Sequence, residues 1–388
     1  MFNNKAILIL KTNEIYTKHL KSKILLKFSE LHICNLDEYK NYTYNQILKK
    51  INEIINNKNI DTAFFEGDYV SLISYNFISK LNIRTKILLC FDDFDMHEMN
   101  SITAKACDNI LTSCPISDLK FKEKNLISFF CPLEADQNLY KKIDVTKKYD
   151  VLFFGTKKYL RDNFINEIKK NKINLKLVGY NNDMVNESEL IKLINESKIV
   201  INFSNTGFSK KFTILNSFNF DYLQLKGRLI ISGLCGTPCI SQYSPANKLL
   251  FNENEIWEFK NSSQMIELIK VLLNDKNIYE KYANKYCEKA KQHSDQNLFI
   301  SFYKSLGQES SKEKITKLPY WYENEINKRK VKFFRKNNNI MTFLLNTFED
   351  IIFKTKKLNL NNIFLIIKNL LLMPFIILNI IYNSNKKN

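Results

Sequence analysis

Tyr149-Asp150-Val151-Leu152-Phe153-Phe154-Gly155 is followed, after a Lys-bearing loop, by Arg161 to Lys170 and then by Leu175-Lys176-Leu177-Val178-Gly179. The first stretch reads as a buried strand closed by a tight turn, the second as a helix, and the third as another short strand closed by glycine. A strand, a crossover helix and a strand in this order make a parallel unit.

The pattern continues downstream. Glu187 to Ser197 reads as a helix, Ile199 to Phe203 as a strand, Lys226 to Leu234 as a helix, Cys239 to Gln242 as a strand and Ser262 to Leu273 as a helix. Upstream, a Lys-rich stretch without apolar periodicity, Tyr140 to Tyr149, marks a boundary. Before it the alternation occurs once already: strands at Ala6–Leu10, Thr62–Phe65, Lys86–Phe91, Asn109–Thr112 and Leu126–Phe130, with an amphipathic helix near Tyr44–Asn56. The expected fold class is α/β, with two doubly wound Rossmann-like domains facing a cleft. Ligands of such units bind outside the carboxyl ends of the strands. No Gly-x-Gly-x-x-Gly follows any strand, and no Walker-type loop occurs, so dinucleotide and P-loop chemistry are not indicated. The expected division is residues 1–145, residues 146–310 and a helical extension over residues 311–388.

A chain of 388 residues that is 45% hydrophobic can bury two cores. Its eight cysteines are dispersed, most within apolar runs, with no Cys-x-x-Cys pair. They read as small buried hydrophobes and imply neither a disulfide framework nor a metal cluster. Met1 to Leu10 reads as a first strand and not as a signal peptide, so a reducing cytoplasm is expected. Residues 311–388 hold 15 Lys and Arg against 5 Asp and Glu, so they carry +10 of the +18 net charge. Basic charge beside apolar stretches points to an anionic lipid surface. No Arg-rich helix or aromatic platform of the kind that reads bases accompanies it, so nucleic acid is not an expected partner.

Several residues of the second unit carry a family resemblance. Phe153-Phe154-Gly155 with Arg161, the strand Ser197-Lys198-Ile199-Val200-Ile201-Asn202-Phe203, the entry Leu225-Lys226-Gly227-Arg228 and the turn Cys235-Gly236-Thr237-Pro238 resemble the donor domain of CgeB-like glycosyltransferases. Phe251 and the stretch Glu253 to Phe259 resemble its closing acidic-aromatic segment. That family belongs to the group-1 GT-B class. The resemblance spans residues 149–299 and, more faintly, residues 86–140. It implies a GT-B fold, a nucleotide-sugar donor held by the second domain, and no obligatory metal or cofactor. One departure stands out: the class commonly has a Glu five residues before the glycine of the Gly-x-Pro turn, where it holds the donor ribose. Ile231 occupies that position and accepts no hydrogen bond.

Transfer of a sugar from a nucleoside diphosphate needs positive groups around the leaving phosphates. Lys157 and Arg161 flank the helix start after Gly155, where free amides add about half a positive charge. Lys226 and Arg228 also open a helix, where cations oppose the dipole unless an anion sits there. Together with residues that the resemblance implies in the strand Ser197 to Phe203 and the turn Cys235 to Pro238, the expected donor-binding set is Gly155, Lys157, Arg161, Lys198, Asn202, Lys226, Arg228 and Gly236. A general base for the acceptor is expected at strand ends of the first unit, with Asp93, His97 and Asp92 foremost and Asp95 and the Glu66/Asp68 pair beside them. An Asp between strand and helix is also an ordinary N-cap. Asp93-Phe94-Asp95 matches the metal-binding Asp-x-Asp of single-domain GT-A enzymes, but a GT-A fold leaves the second unit unexplained.

Ile363 to Tyr382 is almost wholly apolar but is interrupted by Lys368, Asn369, Pro374 and Asn379. Ile340 to Phe353 precedes it, followed by three lysines. This pattern suits a helix lying on a membrane or barely spanning it. The competing reading is a C-terminal helix that packs back onto the domains, a task Tyr279 to Tyr303 can perform. The expected activity is transfer from a nucleotide sugar to a glycan or lipid-linked acceptor at the inner face of the cell membrane. The alternative is a GT-B-like protein without turnover that binds a glycan or partner there.

Overall fold

Every strand pair among the described residues is parallel, and the strands form two separate sheets. The computed structural model describes residues 4–11, 14–39, 41–67, 72–91, 93–157, 159–180, 183–204, 223–306, 315 and 317–335.

The first unit runs β1 (Lys5–Leu10), α1 (Glu14–Ile24), β2 (Glu30–Asn35), α2 (Tyr44–Asn57), β3 (Thr62–Gly67), α3 (Tyr75–Ser79), β4 (Thr85–Cys90), α4 (Asp93–Ala104), β5 (Asn109–Thr112), α5 (Pro115–Glu123) and β6 (Ser128–Phe130). Its strand order is β2-β1-β3-β4-β5-β6. The inner strands are buried on both faces, as helices on both sides of a parallel sheet require. Ile7 and Ile9 enter one core with Ala63, Phe65 and Leu88, while Leu8 enters the other with Phe64, Ile87 and Leu89. That alternation is the two-residue period of a strand. Helix α2 shows how locally determined these elements are. Thr43 Oγ1 accepts from the Gln46 N–H at 3.4 Å, and Gln46 Oε1 accepts from the Thr43 N–H at 2.8 Å, closing a capping box. Ile47, Leu48, Ile51 and Ile55 then recur at helical spacing along the buried face.

The second unit runs β7 (Tyr149–Phe154), α6 (Tyr159–Lys170), β8 (Leu175–Val178), α7 (Glu187–Asn195), β9 (Ser197–Asn202), α8 (Arg228–Leu234), β10 (Cys239–Gln242), β11 (Trp257–Phe259), α9 (Ser262–Asn274) and α10 (Lys276–Gln292). Its order is β11-β10-β9-β7-β8. Two doubly wound units in tandem leave no place for the single-domain GT-A alternative. Asp93-Phe94-Asp95 forms the opening turn of α4.

The chain then returns to the first unit. Helix α11 (Asp295–Ser305) sends Phe299, Phe302 and Tyr303 into the core that Leu8, Phe64 and Leu89 line. Without it one face of the first sheet lacks part of its cover. Lys23 of α1 and Asp295 pair there, both wholly buried. The two crossing segments lie side by side: the Asp295 N–H donates to the Ala135 carbonyl at 3.0 Å, and the Gln137 N–H donates to Gln296 Oε1 at 3.0 Å. Helix α12 (Tyr320–Arg335) also lies on the first unit. Tyr322 and Ile326 pack with Met96 and Met99 of α4. The Tyr322 hydroxyl accepts from the Tyr75 N–H at 2.9 Å and bonds Thr103 Oγ1 at 2.8 Å. Part of the region expected to be a membrane tail therefore packs on the first unit instead. The apolar stretches at residues 340–353 and 363–382 lie outside the described residues. Among the described residues no helix is long and apolar enough to cross a membrane.

Candidate functional site

The carboxyl ends of β7, β8, β9 and β10 converge on Gly155, Gly179, Asn202 and Gln242. Gly155 has φ +142°, and a Cβ there would lie 2.6 Å from Arg228 Nη2. Only glycine lets this guanidinium lie against the turn. Its N–H donates to the Val178 carbonyl at 2.9 Å, fixing the turn to the neighbouring strand.

Arg228 opens α8 and reaches back across the strand ends. Its Nη1 donates to Asn202 Oδ1 at 2.8 Å, and its guanidinium carbon lies 5.0 Å from the Phe153 ring centroid and 5.5 Å from that of Phe154. Its Nε is sealed from solvent with no partner among the described residues. Arg161 comes from α6 and lies 5.5 Å from the centroid of Phe153, with Nη1 donating to the Thr156 carbonyl at 2.7 Å. Two guanidinium groups thus share one aromatic ring. Burial, and then the charge of Arg161, push the Arg228 guanidinium down to about 9; burial lowers Arg161 as well. An arginine ordinarily keeps its proton under all conditions. The direction of the shift records a concentration of positive charge held out of water, with a neutral amide as the hydrogen-bond partner of Arg228. An anion would relieve it.

The rest of the expected donor set divides. Lys157 is exposed, with its ammonium 5.8 Å from the centroid of the Tyr180 ring at the same end of the sheet. Lys226 precedes α8 and bonds Gln224. Lys198 stands at the opposite, amino end of β9, where it pairs with Asp150 Oδ1 at 2.8 Å. Gly236 is also at that far end. It follows α8 with φ +73°, its N–H donates to the Gly233 carbonyl at 3.0 Å, and it packs against Lys142. It serves as a helix-terminating glycine ahead of β10. Ile231 is buried in the second core.

Of the expected bases, Asp92 lies outside the described residues, as does Asp68, and Asp93 begins α4. His97 is buried, with Nε2 3.2 Å from Ser101 Oγ and its ring centroid 4.6 Å from that of Phe121. It belongs to the interior of the first unit. Glu66 is also buried and accepts from the Lys11 N–H at 2.8 Å, which ties the end of β1 to β3. Among the described residues no cluster of three or more His, Cys, Asp or Glu is arranged to hold a metal.

A set of buried polar side chains behind Arg228 went unread in the sequence: Ser204, Ser241, Ser244 and Asn247, with Glu258 beside them. Serines and asparagines after a strand read as turn chemistry. Only spatial convergence distinguishes them.

Solved structures of other proteins share this architecture. HepE of Anabaena in complex with UDP-glucose superposes with a TM-score of 0.54 at 10% identity, covering 78% of this chain and 100% of that one. Sucrose-phosphate synthase of Thermosynechococcus elongatus gives 0.52 at 7% identity, covering 77% and 97%. A glycosyltransferase of Rickettsia africae gives 0.53 at 11% identity, covering 78% and 97%. The chain has the GT-B fold. Within it, residues 160–297 match the family described as glycosyl transferase-like. Curated protein sequences give no match. The matched segment begins at α6 and ends in α11, so it contains Arg161, Asn202 and Arg228. This GT-B chain carries its concentrated positive charge where such sheets bind ligands.

Proposed function

We propose that the protein is a glycosyltransferase that takes a sugar from a nucleoside-diphosphate donor bound at the carboxyl ends of the second sheet. The acceptor, a glycan or lipid-linked saccharide, approaches from the first domain. The observation that carries this reading is the Arg161–Arg228 pair on Phe153. As the glycosyl bond breaks, the departing diphosphate gains negative charge, and two preorganised guanidinium groups stabilise it without reorganising. Lys157 at the same sheet end adds an exposed cation. The acceptor hydroxyl gives up its proton to a carboxylate of the first unit, with Asp93 and Asp92 the foremost choices. Two further findings support the reading: the glycosyl transferase-like match over the segment that bears both arginines, and the UDP-glucose held by HepE, which shares the fold.

Calorimetric titration of the full chain with UDP, GDP, ADP, CMP and dTDP tests it. Binding of one diphosphate, abolished by Arg228→Ala with the thermal midpoint retained, is expected. Binding of none would overturn the reading.

A second reading rests on Ile231. An apolar side chain stands where the family resemblance places the ribose-holding carboxylate. A protein that holds the nucleotide but turns nothing over fits that substitution. Nucleotide binding without transfer to any saccharide acceptor, and without hydrolysis of the sugar donor, would favour it. For either reading the site of action is the inner face of the cell membrane, on the strength of the basic, apolar sequence after residue 335. Co-sedimentation with anionic but not neutral vesicles is the matching measurement.

A further inference from the structure

Arg228 is aimed by a side chain that is itself aimed. Its partner, Asn202, is wholly buried and has one oxygen and one amino group to distribute. The amino group is committed twice, to Ser241 Oγ at 2.8 Å and to Ser204 Oγ at 3.3 Å. The oxygen must therefore face Arg228. Ser241 in turn uses its single proton on the Gln242 carbonyl at 2.8 Å, so it meets both amides as an acceptor. The second of these is Asn247, whose Nδ2 lies 3.2 Å from Ser241 Oγ and 2.8 Å from Glu258 Oε1. Asn247 Oδ1 is buried without a partner among the described residues. Leaving a buried acceptor unsatisfied costs about 1–3 kcal/mol. The amide nevertheless holds this orientation, because reversal would turn its oxygen towards the Glu258 carboxylate. Glu258 is fixed independently by the Ser244 N–H at 3.1 Å.

The geometry points to Glu258, Asn247 and Ser241 as positioning residues that set the direction of the Arg228 guanidinium through Asn202. The inference rests on the donor reading proposed above and extends it to residues that touch no ligand. The relay begins at an acceptor-only carboxylate on β11, passes through two amides and a hydroxyl, and ends on the guanidinium. Each link leaves the next one a single orientation. The arrangement holds Arg228 without neutralising it. A carboxylate beside the guanidinium would hold it equally well and cancel the charge that the diphosphate needs.

The test is the UDP dissociation constant of the full chain, measured by calorimetry for wild type, Ser241→Ala, Glu258→Ala, Glu258→Gln and the Ser241→Ala/Glu258→Ala double variant. Each alanine variant is expected to weaken UDP binding about fivefold, the scale of one neutral hydrogen bond. The double variant should be no weaker than either single one, because both cut the same relay. Glu258→Gln should restore binding to within about twofold, since its carbonyl can still accept both bonds. Losses that add in the double variant, or a Glu258→Gln variant as weak as Glu258→Ala, would overturn the relay. So would wild-type affinity in both alanine variants, with the donor site left standing. Ser241→Ala removes a single oxygen and carries the test if Glu258→Ala does not fold. If wild type takes another of the five nucleotides in place of UDP, the same variants are read with that one; a chain that binds none would remove the donor reading and the relay with it.

Discussion

Lys23 of α1 and Asp295 of α11 form an ion pair in which neither side chain has any exposed surface. The two residues lie 272 positions apart in sequence, and the pair joins the returning helix to the first helix of the chain. The Cys131 thiol donates to the same carboxylate across 3.5 Å, and burial pushes that thiol well up.

Breaking this pair leaves one buried charge without its counterion. Asp295→Ala is therefore expected to destabilise the protein by about 3–5 kcal/mol, whereas Lys23→Met with Asp295→Leu should recover most of the loss. Urea denaturation of wild type and the two variants checks this. A double variant as unstable as Asp295→Ala would contradict it.

Gly155→Ala is expected to damage binding as well as stability. The new methyl would meet Arg228 Nη2, the end of a side chain that can move aside, so the guanidinium should leave Asn202. The positive φ adds a strain on the order of 1–3 kcal/mol. Loss of binding of the diphosphate that wild type takes, by tenfold or more, with a fall in thermal midpoint of a few degrees, is the expected result.

Asn202→Asp reverses the usual sense of an active-site lesion. A carboxylate 2.8 Å from Arg228 would neutralise the guanidinium and relieve its burial. The loss of the two amino-group bonds to Ser241 and Ser204 offsets the new ion pair, so the ligand-free protein should melt near wild type, yet bind its diphosphate more weakly by about tenfold or more, as one kcal/mol or two of lost electrostatic attraction dictates.

The two sheets were legible in the sequence because their inner strands are uninterrupted apolar runs. Edge strands β2 and β11 were not. Glu30-Leu31-His32-Ile33-Cys34-Asn35 mixes polar and apolar residues on a half-exposed edge, and Trp257-Glu258-Phe259 is only three residues long. The quoted stretches contain both Arg228 and Asn202, which stand at one end of the second sheet, and Lys198 and Gly236, which stand at the other. A strand of six residues spans about 20 Å. Sequence proximity to a site residue therefore does not place a side chain at the site. Asn247, and Glu258 within the stretch Glu253 to Phe259, are brought behind Asn202 only by folding, through Ser241.

Helix α12 gives a prediction about where the chain can be shortened. A protein ending after Leu306 would bare Met96 and Met99 and leave the Tyr75 N–H without its Tyr322 acceptor. One ending after Arg335 keeps both. The shorter form should melt several degrees lower, and scanning calorimetry distinguishes the two.

Acid should weaken the fold through His293. Its Nε2 lies 3.0 Å from the Leu250 carbonyl, and burial holds the imidazole below its ordinary value of 6.5. The unfolded chain then takes up the proton first, so this contribution is intact above about pH 6.5 and is lost as the pH falls through the folded value. His32 is lowered by burial too. Thermal midpoints between pH 7.5 and 5.5 should decline, and His293→Gln should flatten the slope without abolishing it.

The return of α11 and α12 to the first sheet has a consequence for biosynthesis. The last strand of that sheet ends at Phe130, but the helices that complete its cover begin at Asp295 and end at Arg335. At ribosomal speeds of about 5–20 residues per second, the nascent first sheet waits roughly 10–40 s with part of one apolar face uncovered. The second sheet, contiguous in sequence, can close during that wait. Its folding would precede completion of the unit synthesised before it, and that order leaves the first sheet the one with apolar surface exposed longest.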